Sequence, residues 1–167
     1  MRRCAVDTNV AIVANGQCDA KQKDKAPSAI CRLAAIEFLE NLLKKGRIVL
    51  DVAGDIQAEY HRHLSPRGQP GVGDRFYLEV LNSAPKRVDR VDLPKNPDGS
   101  YQHFPDAPEL EKFDPSDRKF AALARKQKIP VANACDSDWL DHRAALEVNG
   151  VAVHFVCGCD RKGWFVP

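Results

Sequence analysis

No stretch of this chain is apolar for long enough to cross a membrane. Met1-Arg2-Arg3 leads into a short run that Asp7 and Asn9 break, so no secretory leader is expected. An excess of one charge is also lacking: 25 Lys and Arg against 23 Asp and Glu leave +2, which neither demands nor excludes a nucleic-acid partner. Internal repeats, low-complexity tracts and shifts of composition are missing too, and no second domain is expected. What is left is an ordinary soluble globule of 167 residues, 44% apolar and 29% charged, long enough to bury a core as one domain. Basic residues bunch locally, at Lys21, Lys23 and Lys25, around Arg62 and Arg67, and at Arg125, Lys126 and Lys128. Reduced thiols in a cytoplasmic protein are the simplest reading of Cys4, Cys18, Cys31, Cys135, Cys157 and Cys159. Cys157-Gly158-Cys159 lacks the two-residue gap and the second ligand pair of a zinc knuckle, and no structural metal is expected there.

Four segments read as buried strands: residues 4–7, 47–51, 129–133 and 151–156. A weaker fifth, 87–91, alternates with polar residues in a way that suits a sheet edge. Helical patterns lie between them: from Pro27 to the stop at Gly46, over 54–64, over 72–83, after Pro115, and over 138–148 up to Gly150. Strands alternating with helices predict an α/β domain with a mainly parallel sheet of roughly five strands, covered on both faces. Pro94, Pro97, Pro105, Pro108 and Asp98-Gly99 punctuate residues 92–113, which read as a long insertion, either a functional lid or a disordered loop.

Asp7 ends the first strand, and carboxyl ends of strands are where open α/β sheets bind ligands. Other acids fall in comparable places: Glu59 in the helix after the second strand, Asp114 and Asp117 opening the helix after Pro115, and Asp136 and Asp138 after the fourth strand. Segments that follow successive parallel strands emerge on one edge of the sheet, so these acids could meet. Carboxylates packed together repel, and a hard divalent cation with oxygen ligands is their natural partner. Each acid also has a plain structural reading. Asp114 suits an N-cap and is preferred as one, while Asp117 is balanced between helix-dipole and site roles. Asp136 and Asp138 could cap the last helix, and Glu59 could be solvent-exposed. Asp7, beside Thr8 and Asn9, has the least evident structural purpose.

The opening "AVDTNV" and the block "DRKFAALARKQKIPVANACDSDW", with a Glu in the second helix between them, resemble the PIN-domain ribonucleases. The resemblance implies a three-layer α/β/α sandwich over 1–167, with Mg²⁺- or Mn²⁺-dependent endonuclease activity on single-stranded RNA. It makes Asp7, Glu59, Asp117 and Asp136 the catalytic acids, with Asp7, Asp117, Asp136 and Asp138 as metal ligands and Asp114 in support. Thr8 or Asn9 would orient a ligand carboxylate or touch the scissile phosphate. Arg62, Arg118 and Lys119 would guide the RNA backbone. Tyr60 or Trp139 could stack a base, although Trp139 suits a core better.

The chain departs from the family pattern where Ala134 or Cys135 replaces a hydroxyl residue, and where segment 66–113 exceeds what small toxin-type members carry. Many relatives are toxins paired with antitoxins, which leaves an antitoxin or other protein partner, and a homodimer, open. Rival readings are weighed on the same residues. A haloacid-dehalogenase-type phosphotransferase needs an acid where Asn9 stands, and a receiver domain needs an acidic pair that Asp7-Thr8-Asn9 does not supply. A PIN-like binding module without activity and a nuclease for branched DNA keep the same acids. His61 and His63 lie two apart on a helix and do not face each other, so they make no metal pair.

Overall fold

The apolar runs too short for helices become strands. In a computed structural model, which describes residues 2–18, 24–83 and 85–166, they are β1 (Arg2–Val6), β2 (Gly46–Asp51), β3 (Val88–Val91), β4 (Val131–Asn133) and β5 (Val153–Phe155). Lys21 and Lys23 of the expected basic bunch lie outside the described residues. All the pairings are parallel and run in the order β3-β2-β1-β4-β5. The polar, alternating β3 lies at an edge, where one side of a strand can face water. The centre of the sheet is drier: Cys4, Ala5 and Val6 of β1 and Ile48, Val49 and Leu50 of β2 are all buried.

Among the described residues seven α-helices connect these strands: α1 (Thr8–Ala14), α2 (Ala29–Lys45), α3 (Asp55–His63), α4 (Val72–Asn82), α5 (Arg118–Gln127), α6 (Ser137–Asp141) and α7 (Arg143–Val148). Helices α1, α2 and α4 pack on one another, and α3 packs on α1 and β2. On the other side of the sheet α5 lies over β1 and β4, and α7 over β5. Right-handed crossovers require this division, because the chain moves one way across the sheet up to β3 and returns the other way to β4 and β5. The result is a three-layer α/β/α arrangement. Its strand order reverses between β1 and β4, the place where such folds open a crevice beyond the strand ends.

Two elements differ from the sequence reading. Residues 8–14 form a helix that was not expected, since every one of them is buried and no apolar stripe marks it. Gly73 lets α4 close on it: a Cβ there would lie 2.0 Å from the Ala11 carbonyl oxygen. The helix expected over 138–148 is two helices, broken at His142. Residues 92–113 are tied down by their own side chains. Leu93, Leu110 and Phe113 are buried, Phe104 stacks on Phe113 with centroids 6.0 Å apart, and the Arg118 guanidinium lies 4.9 Å over Phe104. Among the described residues no helix is long and apolar enough to cross a membrane.

Candidate functional site

β1 delivers Asp7 to the carboxyl edge of the sheet, and the parallel ladder with β4 continues through the Asp7 N–H, which donates to the Ala132 carbonyl at 2.9 Å. The Asp7 side chain is 3% exposed. Its Oδ1 accepts from the Asn9 backbone N–H at 3.0 Å, and its Oδ2 accepts from the Trp139 indole N–H at 2.6 Å. Asp7 therefore does have a structural purpose, as the N-cap of α1. Asp51, at the end of β2, is a useful contrast. It is equally buried, but its two oxygens are taken up by the N–H groups of Asp55 and Ile56 at the start of α3, and among the described residues it joins no cluster of metal-spaced acids.

Asp117 and Asp136 converge on Asp7. One carboxylate oxygen from each of the three lies within 4.8 Å of the others. Asp117 is buried where the 3-10 turn Pro115–Asp117 passes into α5. Asp136 caps α6, its Oδ1 accepting from the Asp138 N–H at 2.8 Å, while its Oδ2 accepts from Asn9 Nδ2 at 3.3 Å. Asn9 Oδ1 in turn accepts from the Ala134 N–H at 2.8 Å, so one amide spans the gap between the ends of β1 and β4.

The remaining candidates fall around this trio. Glu59 is buried, not solvent-exposed, and accepts from Thr8 Oγ1 at 3.0 Å. It is ion-paired with Lys119, which is itself buried and also donates to the Ser116 carbonyl. Glu59 stands outside the three-acid group, although its charge acts on both Asp7 and Asp117. Asp138 accepts from the Asp114 N–H at 2.8 Å and lies 3.1 Å from His142 Nδ1, fastening α6 to the turn before α5. Asp114 accepts from the N–H and hydroxyl of Ser116, the N-cap role that its Pro115 neighbour foretold. Arg118 donates to the Glu111 and Phe113 carbonyls and Arg62 is exposed near the end of α3.

Neither aromatic residue named for base stacking is available for it. Tyr60 is fully buried and donates to the Val6 carbonyl at 2.6 Å, and Trp139 is fully buried against Phe113 with centroids 4.9 Å apart. Trp139 matters to the site in another way, as a donor to Asp7, and this was missed. The signal was present: a buried indole N–H needs an acceptor, and Trp139 lies one turn beyond Asp136.

Burial pushes the Asp7 carboxyl well above the usual carboxylate range, and the charges of Asp136 and Glu59 push it further against the opposing Asn9 and Trp139 donors. Burial, then the charges of Asp7, Asp136, Asp114 and Glu59, push Asp117 up to about 10. Such a trio must either hold protons or hold a cation. The donor set fits a hard divalent ion. Three carboxylates meeting at one point supply the oxygen ligands that Mg²⁺ or Mn²⁺ takes.

No family model matches the chain, and none of the curated proteins matches it either. In structure the chain is similar to VapBC2 from Rickettsia felis, solved bound to a DNA fragment from its promoter. The similarity covers 92% of this chain and 98% of that one, at 14% identity and a TM-score of 0.47.

Proposed function

We propose that this chain is a PIN-like, Mg²⁺- or Mn²⁺-dependent endonuclease that hydrolyses phosphodiester bonds of single-stranded RNA. The observation that carries the reading is the trio Asp7, Asp117 and Asp136, the first two buried and the third half-buried, with one oxygen of each within 4.8 Å of the others where the strand order reverses. A divalent ion bound there would neutralise charge on a phosphate and lower the pKa of water. Asp7, Asp117 and Asp136 hold it, Trp139 and Asn9 fix the orientation of Asp7 and Asp136, and Glu59 holds Thr8 and Lys119 at the rim. Asp138 and Asp114 support from behind by joining α6 to the start of α5. Arg62, exposed on α3, is left to meet the nucleic-acid backbone, so binding weakens with salt.

The test is cleavage of unstructured RNA and of DNA in Mn²⁺, Mg²⁺ or EDTA. Wild type cleaves RNA with either metal and EDTA abolishes it; Asp7→Asn loses about a hundredfold or more, the scale on which single charge-stabilising groups act. Activity that survives chelation, or that is equal in Asp7→Asn, rejects the mechanism. Cleavage of branched DNA alone moves the substrate class, and binding without cleavage makes the chain a binding module.

The family resemblance also brings an inhibitory protein partner of the antitoxin kind. Ile30 and Leu33, exposed on α2, are apolar side chains that such a partner or a second copy would cover. Light scattering on the isolated chain distinguishes a homodimer from a monomer.

A further inference from the structure

Three cysteines that lie far apart in the sequence meet in space. Cys31 is in the first turn of α2, Cys135 lies between β4 and α6, and Cys157 follows β5. Their sulfur atoms lie within 4.8 Å of one another, with Cys135 Sγ 3.6 Å from Cys157 Sγ. That spacing is much longer than the roughly 2.0 Å of a disulfide, and all three are free thiols. It is close to the edge of a thiolate tetrahedron, which is about 3.8 Å for zinc–sulfur bonds of about 2.3 Å.

The setting is that of a built site. Cys31 and Cys135 are buried, while Cys157 is half-buried and leaves a way in. Cys135 has φ 59°, in the left-handed region that residues with a Cβ rarely adopt. The C-terminal segment closes over the thiols, with the Gly163 carbonyl oxygen 3.7 Å from Cys31 Sγ and that of Trp164 3.9 Å from Cys135 Sγ. Cys159, the other half of the Cys157-Gly158-Cys159 pair, is exposed and takes a hydrogen bond from Arg143 instead. The three cysteines that meet are therefore a different set from the Cys157-Gly158-Cys159 pair weighed in the sequence.

We propose that Cys31, Cys135 and Cys157 form a three-thiolate site for a thiophilic divalent cation, Zn²⁺. A water or small ligand takes the fourth position. Sulfur donors select zinc over Mg²⁺ and Mn²⁺, so the site is chemically separate from the carboxylate trio and does not depend on the nuclease reading. Binding releases the thiol protons to solvent and cross-links α2, the β4–α6 connection and the C-terminal segment. It also fixes the backbone immediately before Asp136.

The experiment uses the full chain, purified reduced, titrated with Co²⁺ and then Zn²⁺. The expected result is a near-ultraviolet sulfur-to-cobalt charge-transfer band that saturates at one equivalent and is bleached by Zn²⁺. Cys31→Ser and Cys157→Ser lose the band, whereas Cys4→Ser, Cys159→Ser and Asp117→Asn keep it. Because Cys31→Ser could fail to fold, alkylation of wild type supplies a second readout. Zn²⁺ at ten times its Kd slows modification of Cys157 about tenfold and leaves Cys159 unchanged. Absence of the band, a band that persists in Cys157→Ser, or equal alkylation of Cys157 with and without Zn²⁺ overturns the proposal.

Discussion

Two donors hold the carboxylate of Asp7: a backbone N–H from the helix it caps, and an indole N–H from a helix 132 residues away in sequence. The first is local and follows from the Asp7-Thr8-Asn9 order. The second is a tertiary contact that only the folded chain brings about. Trp139→Phe keeps most of the packing but removes the donor, leaving one oxygen of a buried carboxylate without its partner. It should lower metal affinity and cleavage about 10–100-fold, the range for groups that orient ligands. Calorimetric metal titration beside a thermal melt checks this, since a merely structural role would lower the melting temperature and leave affinity intact. Asp7 itself was legible in the sequence because strand ends are marked by an abrupt change from apolar to polar. Its partner was not, because nothing in a one-dimensional pattern says which acceptor a buried tryptophan finds.

Between elements, the Glu59–Lys119 pair ties α3 to α5 across the edge of the sheet. Both side chains are about nine-tenths buried, so removing one strands the other's charge. Glu59→Gln or Lys119→Met alone should cost about 3–5 kcal/mol, while the double substitution Glu59→Leu with Lys119→Met recovers much of the loss. Urea unfolding of the four proteins measures it; a double-variant loss equal to the sum of the two single losses would make the pair energetically idle. The strands were readable because short β-branched runs bounded by polar residues have few other uses, and even the weak edge strand β3 was found. Helix α1 was not, because a seven-residue segment buried on every side has no stripe to read. The break at His142 was hidden for the opposite reason: the stripe continues across it, while the backbone does not.

For the molecule as a whole, the acid trio should make stability depend on pH and, on the proposed function, on metal as well. Asp117 is raised from an ordinary 3.8 to about 10, so the folded chain keeps a proton that the unfolded chain gives up. That contribution is complete below the ordinary value and is lost as pH rises through the raised one. In EDTA the protein should therefore be more stable at about pH 5 than at about pH 8, and added Mn²⁺ should raise the melting temperature more at the higher pH. Melts that are level across this window, or a metal effect largest in acid, would contradict it. The sulfur cluster belongs to this scale as well. Cys31, Cys135 and Cys157 come from the second helix, the connection after β4 and the turn after the last strand, and no spacing rule could have joined them.

Asn9 reaches across the seam between β1 and β4, where the register pairs only Ala5 with Val131 and Val6 with Ala132. Its amide grips residues on the far side that are 125 and 127 positions away, the Ala134 N–H and the Asp136 carboxylate. It works as a gauge block: the opening between Asp7 and Asp136 is set by the length of one side chain. A fixed opening sorts ions by radius, since metal–oxygen bonds are about 2.0–2.1 Å for Mg²⁺ and 2.3–2.6 Å for Ca²⁺. Asn9→Gln inserts one methylene into the gauge, and titration of both ions should find the preference moved toward the larger.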